Sequence, residues 1–295
     1  MNIPYNIVKV LLLPFGLKNI AYIWTEFFAY NKIKRLYKWT SVSPNTDFLF
    51  INKNVKFNKT MWVYWKQGLD SAPLLVKKCI ESQKRHKRDW DYIFLSEANI
   101  HNYVKLPAYI EEKHNSKKIG EAHYSDLLRI QLLIQYGGIW MDSTCFLSEE
   151  IPDYIENSDF FMFSTGNWWP WLITPSKSSN WFIKSKQNNE LLIKTRNFLF
   201  EHWKNRNKPI HYFVFHLIFS ILVDNDDSCK KIWEKVPFVS NLQPHLFQYS
   251  FYKEYDKTSY DYILKQCFIH KLNYKYSSNL ISCLEYNNLK RFLDN

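Results

Sequence analysis

Apolar residues recur every three or four positions at Tyr124, Leu127, Leu128, Leu132 and Leu133, a spacing that predicts a helix across residues 122–136. Asp126 and Arg129, three apart, share a different side of that helix. The pattern stops at Gly137 and Gly138, two of only six glycines in the chain, so the pair marks a turn that other residues make poorly. Ile139, Trp140 and Met141 then form a short apolar run of the kind buried in parallel sheets. Such sheets hold their ligands beyond the strand ends, where this run delivers Asp142. On pattern alone, Asp142 is equally a residue that caps a turn.

The same alternation organises the rest of the chain. Residues 61–65 read as a strand ending in Lys66, Gln67 and Gly68; Pro73 with Leu74, Leu75, Cys79 and Ile80 begins a helix; residues 92–95 read as a second strand leading to Ser96 and Glu97. Strand, helix, strand predicts a nucleotide-binding half-sheet, hence an α/β fold. Residues 160–176 carry no charge, yet Gly166, Pro170, Pro175 and the cluster Trp168, Trp169 and Trp171 predict a strand and an aromatic loop, either facing a sugar or acting as a lid. Residues 191–203 and 212–223 read as helices, the second apolar almost all round and therefore buried, with His211 and His216 beside or within it. We divide the chain into an N-terminal segment and linker, residues 1–60, and one domain, residues 61–295.

Composition narrows the partners. With 46% hydrophobic and 18% aromatic residues, the 295-residue chain is a folded protein able to bury one large core. The net charge of +11 suits nucleic acid, anionic lipid or a phosphorylated substrate. The cations are spread along the chain without zinc-finger, homeodomain or RNA-recognition spacing, so nucleic acid is set aside. Residues 1–40 hold Lys9, Lys18, Lys32, Lys34, Arg35 and Lys38 against Glu26 alone. Ile20, Ile23, Trp24, Phe27, Tyr30 and Tyr37 form an apolar stripe beside them, as in a helix lying on an anionic membrane or one packed on the domain with a solvated basic face. The segment is too short in apolar residues to span a bilayer, which needs roughly 20. Five scattered cysteines without a Cys-x-x-Cys pair predict reduced thiols, and Pro14 interrupts the apolar start that a secretion signal would need.

The string Ser125-Asp126-x-x-Arg129, then Gly137-Gly138-x-x-x-Asp142-x-Thr144, resembles the capsular polysaccharide synthesis proteins. These are glycosyltransferases related to the Och1-type mannosyltransferases of glycosyltransferase family 32 and to clostridial toxin glycosyltransferase domains. The resemblance implies the GT-A-type fold, a mixed, mostly parallel central sheet flanked by helices. It implies that Asp142 is a metal ligand, joined directly or through water by Thr144, which many capsular members carry where other relatives have a second aspartate, and that Asp126 and Arg129 contact the ribose and the donor sugar or phosphates. The chemistry is coherent: a nucleotide-sugar donor leaves as a diphosphate, and a divalent cation, Mn2+ or Mg2+, held by hard oxygen ligands can neutralise it.

The run 62–68 resembles the opening strand of the same family. Trp65 or Tyr64 stacks on the nucleobase or packs in the core, with Gln67 and the Gly68 backbone near the nucleotide. Asn180 lies in a segment similar to one near the donor or acceptor, and the Tyr212-Phe-x-x-His216 pattern recurs in relatives, although a histidine on such a helix is ordinarily a core residue. By the same resemblance, His270 completes the cation site and Lys271 meets the diphosphate.

The expected activity is hexose transfer from a nucleotide-diphosphate sugar, a UDP-sugar, to a lipid-linked glycan in capsular or surface polysaccharide synthesis, with retention and an α-linkage. The expected location is cytoplasmic, peripheral on the inner face of the cell membrane. The rivals are a toxin-like transferase acting on a protein and a noncatalytic membrane-surface binding protein.

Overall fold

Alternation along the strands sorts the core into two layers. The computed structural model describes residues 18–36, 52–165, 174–276 and 286–294. Strand β1 (Thr60–Tyr64) leads through helix α2 (Leu74–Arg85) to strand β2 (Asp91–Leu95), which pairs parallel to β1 with Met61 opposite Tyr92. Helix α4 (Glu121–Tyr136) leads to β3 (Gly138–Met141), parallel to β1 on its other side with Trp62 opposite Trp140. The antiparallel strand β6 (Ser178–Ser185) pairs with β3 and with β5 (Phe160–Ser164), giving the order β2, β1, β3, β6, β5. This is the mixed, mostly parallel sheet with flanking helices that the family resemblance implies.

Met61, Val63, Ile139, Met141, Phe161, Phe163 and Phe182 face one side, against Val76 and Ile80 of α2. Trp62, Trp140, Met162 and Ile183 face the other, against α4, helix α6 (Glu190–Asn205) and helix α7 (Val214–Asn225). Each such side chain, fully buried, contributes about 1.5–3 kcal/mol. Beneath α2 a two-stranded antiparallel sheet joins β4 (Cys145–Leu147) to β7 (Ile269–Lys271), with Phe146 opposite His270 and Cys145 opposite Lys271. Helices α9 (Gln243–Ser250) and α11 (Asn288–Asp294) cover it through Phe247, Phe251, Leu289 and Phe292.

The N-terminal helix α1 (Lys18–Leu36) packs on α7: Ala29 and Ile33 are buried in the main core, and the Tyr30 hydroxyl donates to Asp224 Oδ2 at 2.6 Å. Trp24 and Phe27 point outward, Trp24 at 54% exposure. Among the described residues no helix is long and apolar enough to cross a membrane. Cys79, Cys145, Cys229 and Cys267 are free thiols. The tryptophan cluster at 168–171 lies outside the described residues.

The double glycine is a geometric necessity. Gly137 and Gly138 have φ of +67° and +99°, in the left-handed region that side chains disfavour. A Cβ on Gly138 would lie 2.1 Å from the Thr60 carbonyl oxygen of β1, and one on Gly137 would lie 2.1 Å from Asn58 Oδ1. The Gly137 N–H closes α4 on the Leu133 carbonyl, and its own carbonyl accepts from Trp62 Nε1 at 3.0 Å, so helix end and sheet centre are tied at one point.

Candidate functional site

Asp142 follows β3 directly, at the C-terminal end of the parallel strands. Its backbone N–H donates to the Trp181 carbonyl of β6 at 2.8 Å. Gln83, fully buried on α2, donates Nε2 to the carbonyls of Asp142 (3.1 Å) and Cys145 (2.7 Å) and accepts from the Tyr92 hydroxyl (2.7 Å). The turn from β3 to β4 is therefore held from two sides. Sequence reasoning missed Gln83, since nothing local marks it.

The Asp142 carboxylate meets two cations of the site, Lys271 and Arg129. Lys271 Nζ lies 3.0 Å from Oδ2, and Arg129 Nη2 lies 3.3 Å from Oδ1, which also accepts from Trp140 Nε1 at 3.0 Å. Burial pushes the Asp142 pKa up, but Lys271 and Arg129 pull it further down, so it stays below the usual carboxylate range. Burial lowers Lys271, and Asp142 more than offsets this, leaving it raised. Arg129 is spread over four groups: Nη1 donates to the Asn180 carbonyl (2.8 Å) and lies 3.3 Å from Asp126 Oδ1, while Nη2 donates to Ser125 Oγ (3.0 Å) and reaches Asp142. Its guanidinium also sits 5.1 Å from the Trp140 ring. Asn180 Nδ2 completes the network by donating to Asp126 Oδ1 at 2.8 Å.

These groups open into one cavity of about 360 Å3, lined among others by Trp65, Gln67, Asp126, Arg129, Asp142, Thr144, Asn180 and Lys271. Eight of the residues singled out from sequence therefore meet in one place. Gly68 turns the chain beside Gln67, with φ of +83°, but does not line the cavity. Both aromatic candidates, Tyr64 and Trp65, line it; Trp65 also packs on the core and stands edge-on to Tyr274 at 5.1 Å. Lys66 at the end of β1 and both Tyr212 and His216 of the Tyr-Phe-x-x-His pattern also line it, while His123 and Tyr274 join unforeseen, although His123, three residues before Asp126 on one helix, was readable from spacing.

His270 corrects the expectation. Neighbouring residues of a strand point to opposite faces, so with Lys271 in the cavity His270 turns away from it. Its Nε2 lies 3.1 Å from both Ser148 Oγ and the Leu264 carbonyl, its ring packs 5.3 Å from Phe247, and burial lowers its pKa to about 4. Among the described residues no group of three or more histidine, cysteine or acidic side chains is placed to hold a metal. What remains is the pair Asp142 and Thr144: Lys271 Nζ lies 3.0 Å from Asp142 Oδ2 and 2.6 Å from Thr144 Oγ1, so both oxygens converge on a point already suited to a positive charge. One carboxylate and one hydroxyl fit a magnesium-like ion that takes its other ligands from water and substrate phosphate.

Comparison with known proteins sets this geometry in context. Over 112 residues, 35% of this chain and 27% of the relative, the sequence is 31% identical to the O-glycosyltransferase braB of Annulohypoxylon truncatum. Over 167 residues, 50% of this chain and 40% of the relative, it is 25% identical to the O-glycosyltransferase PaGT of Phomopsis amygdali. The chain thus spans less than half the length of these curated relatives. Among solved structures it is similar to the PaToxG glycosyltransferase, with a TM-score of 0.40, 13% identity, and coverage of 71% of this chain and 82% of that one. Residues 12–288 match the family described as "Capsular polysaccharide synthesis protein", and the chain belongs to that family.

Proposed function

We propose that the protein is a glycosyltransferase that moves a hexose from a UDP-sugar to a hydroxyl of a lipid-linked glycan during capsular or surface polysaccharide assembly, retaining the anomeric configuration. One observation carries the reading: Asp142, Lys271, Arg129 and Asp126 converge in a single cavity beyond the ends of parallel strands, where nucleotide ligands of such sheets bind. The names of two relatives, both O-glycosyltransferases, support transfer to oxygen.

The residues divide the work. Tyr64, Trp65 and Gln67 at the end of β1 receive the nucleoside, with an aromatic face for the base and an amide for its polar edge. Lys271 and Arg129 receive the diphosphate and neutralise the charge that grows as the sugar bond breaks. Asp126, fixed by Asn180 and Arg129, lies on the sugar side. Asp142 and Thr144 would hold a divalent cation, which when bound stabilises the departing diphosphate. Transfer beside a membrane fits α1, which exposes Trp24 and Phe27 and carries Lys34 and Arg35 in its last turn.

Calorimetric titration of the purified chain with UDP and with GDP, each with manganese and with EDTA, tests the reading. Manganese-dependent UDP binding, lost in Asp142→Ala, is the expected result. Preference for GDP would keep a transferase and change its donor. Failure of both nucleotides to bind the folded chain would refute the proposal.

A further inference from the structure

Cations that are spread along the sequence are gathered by the fold into one patch. Residues 113–118 and 202–211 contain Lys113, Lys117, Lys118, Lys204, Arg206 and Lys208 and no carboxylate. Lys113, in the last turn of helix α3 (Ala108–Asn115), joins the two segments. Its ammonium donates to the carbonyls of Trp203 (2.5 Å), Lys204 (3.1 Å) and Arg206 (3.0 Å) at the end of α6, and its own carbonyl accepts from the N–H groups of Lys118 (2.8 Å) and Ile119 (3.0 Å). One lysine thus pins together two loops that lie 90 residues apart in the chain.

The remaining cations have no such task. Carbonyls at a helix C-terminus attract positive charge, but Lys113 already meets those of α6. Lys117, Lys118, Lys204 and Lys208 are exposed, Arg206 is half-buried, and among the described residues none of these five forms an ion pair. Like charges held together without counterions repel one another, so their assembly in one patch points to a partner that brings negative charge.

The surroundings identify the partner. The second loop runs on to His211, whose Nε2 lies 3.5 Å from Thr25 Oγ1 of α1, and to Tyr212, 58% exposed on the rim of the cavity. On α1, Trp24 adjoins Thr25 in sequence and is exposed, as is Phe27. A soluble polyanion requires cations alone. Aromatic rings beside a cluster of cations fit the headgroup layer of a bilayer, where rings sit at the apolar boundary and lysines meet acidic lipids.

We propose that the two loops carrying Lys117, Lys118, Lys204, Arg206 and Lys208 form the surface by which this protein docks on an anionic membrane, beside the exposed aromatics of α1. The inference deepens the reading of transfer beside a membrane and rests on it for the cavity's role; the docking itself rests on charge and exposure. Docking through these loops brings Tyr212 and the cavity rim close to the headgroups, where a lipid-linked acceptor lies.

Co-sedimentation of the full chain with vesicles tests it, using phosphatidylcholine alone and phosphatidylcholine mixed with phosphatidylglycerol. The expected result is binding to the mixed vesicles only, weakened by added salt. Each cation near such a surface strengthens binding about fivefold, so Lys117→Gln with Lys118→Gln, and separately Lys204→Gln with Lys208→Gln, should weaken it about tenfold or more. The same charge removed elsewhere, in Lys231→Gln with Lys265→Gln, should change it less than about twofold. Equal losses in loop and control variants would overturn the patch, since the net charge of +11 would then act as a whole. Vesicle binding that ignores lipid charge, no vesicle binding, or tighter binding to long-chain polyphosphate in solution would overturn it as well. Calorimetry with UDP and manganese on the same samples keeps the two readings apart. The loop variants should bind UDP as the wild type does, whereas a wild type that docks on vesicles and binds no UDP would refute the transferase reading and leave the docking surface standing.

Discussion

Lys271 Nζ bridges the two oxygens most suited to a divalent cation, 3.0 Å from Asp142 Oδ2 and 2.6 Å from Thr144 Oγ1. The lysine arrives from β7 and the oxygens from the turn that leaves β3, so the fold brings one positive charge to a site where a second must compete for the same lone pairs.

Competition has a measurable sign. In Lys271→Met the two oxygens lose their ammonium, and manganese alone should bind about tenfold or more tightly than to the wild type, since a tenfold change needs only about 1.4 kcal/mol. The same substitution removes a cation from the diphosphate, so UDP measured in EDTA should bind more weakly by a similar factor. Calorimetry of each ligand separately reads both changes. Weaker manganese binding in the variant would mean that the lysine supports the cation and does not exclude it.

Acid should destabilise the fold in a window set by buried histidines. Burial holds His216 and His270 down to about 4, against an ordinary value near 6.5. As pH falls below 6.5 the unfolded chain takes up protons that the folded chain refuses, so stability is complete above 6.5 and is lost progressively toward 4. Asp142, whose folded pKa is also depressed, adds its loss only below the ordinary carboxylate range. Melting temperature should therefore decline from pH 7 to 4.5, and His216→Phe should decline less steeply. Parallel curves for the two proteins would show that His216 is not one of the groups responsible.

Much of the site was legible because its signals are local. Helix periodicity, a glycine pair and an apolar run lie within 25 residues of Ala122 and lead the eye to Asp142, and the α4 and β3 boundaries follow them closely. The choice between His270 and Lys271 was not local. Strand alternation requires that only one of two neighbours face the cavity, but which one is decided by pairing with β4, far away in sequence. Gln83 and the buried, unpartnered Nδ1 of His216 were invisible for the same reason: a buried polar side chain on a helix declares its role only when its distant partners, or their absence, are seen.

The left-handed turn before Asp142 should tolerate no side chain. Gly138→Ala combines an unfavourable φ of +99° with a methyl group 2.1 Å from a backbone oxygen of β1, and that strand is fixed on both edges by pairing. Relief requires moving the sheet centre, so the expected loss is on the order of 3 kcal/mol or more, seen as a large drop in denaturation midpoint. An alanine variant as stable as the wild type would show that the turn has another conformation within easy reach.

Gln83 offers a way to disturb the site without touching its cavity. Its amide supplies a donor to the carbonyls of Asp142 and Cys145 and an acceptor to Tyr92. Gln83→Leu fills similar space but strands the half-buried Tyr92 hydroxyl and takes one donor from each carbonyl, at a cost of about 2 kcal/mol. Tyr92→Phe removes only the outer bond and should cost about 1 kcal/mol. Because the lost bonds hold the turn that aims Asp142, the leucine variant should also bind UDP with manganese several-fold more weakly, whereas Tyr92→Phe should leave that affinity nearly intact. Denaturation and calorimetry on the same samples separate the two effects. If Gln83→Leu lowers stability and leaves nucleotide affinity untouched, the turn keeps its shape without the amide, and the Trp181 carbonyl bond suffices to position Asp142.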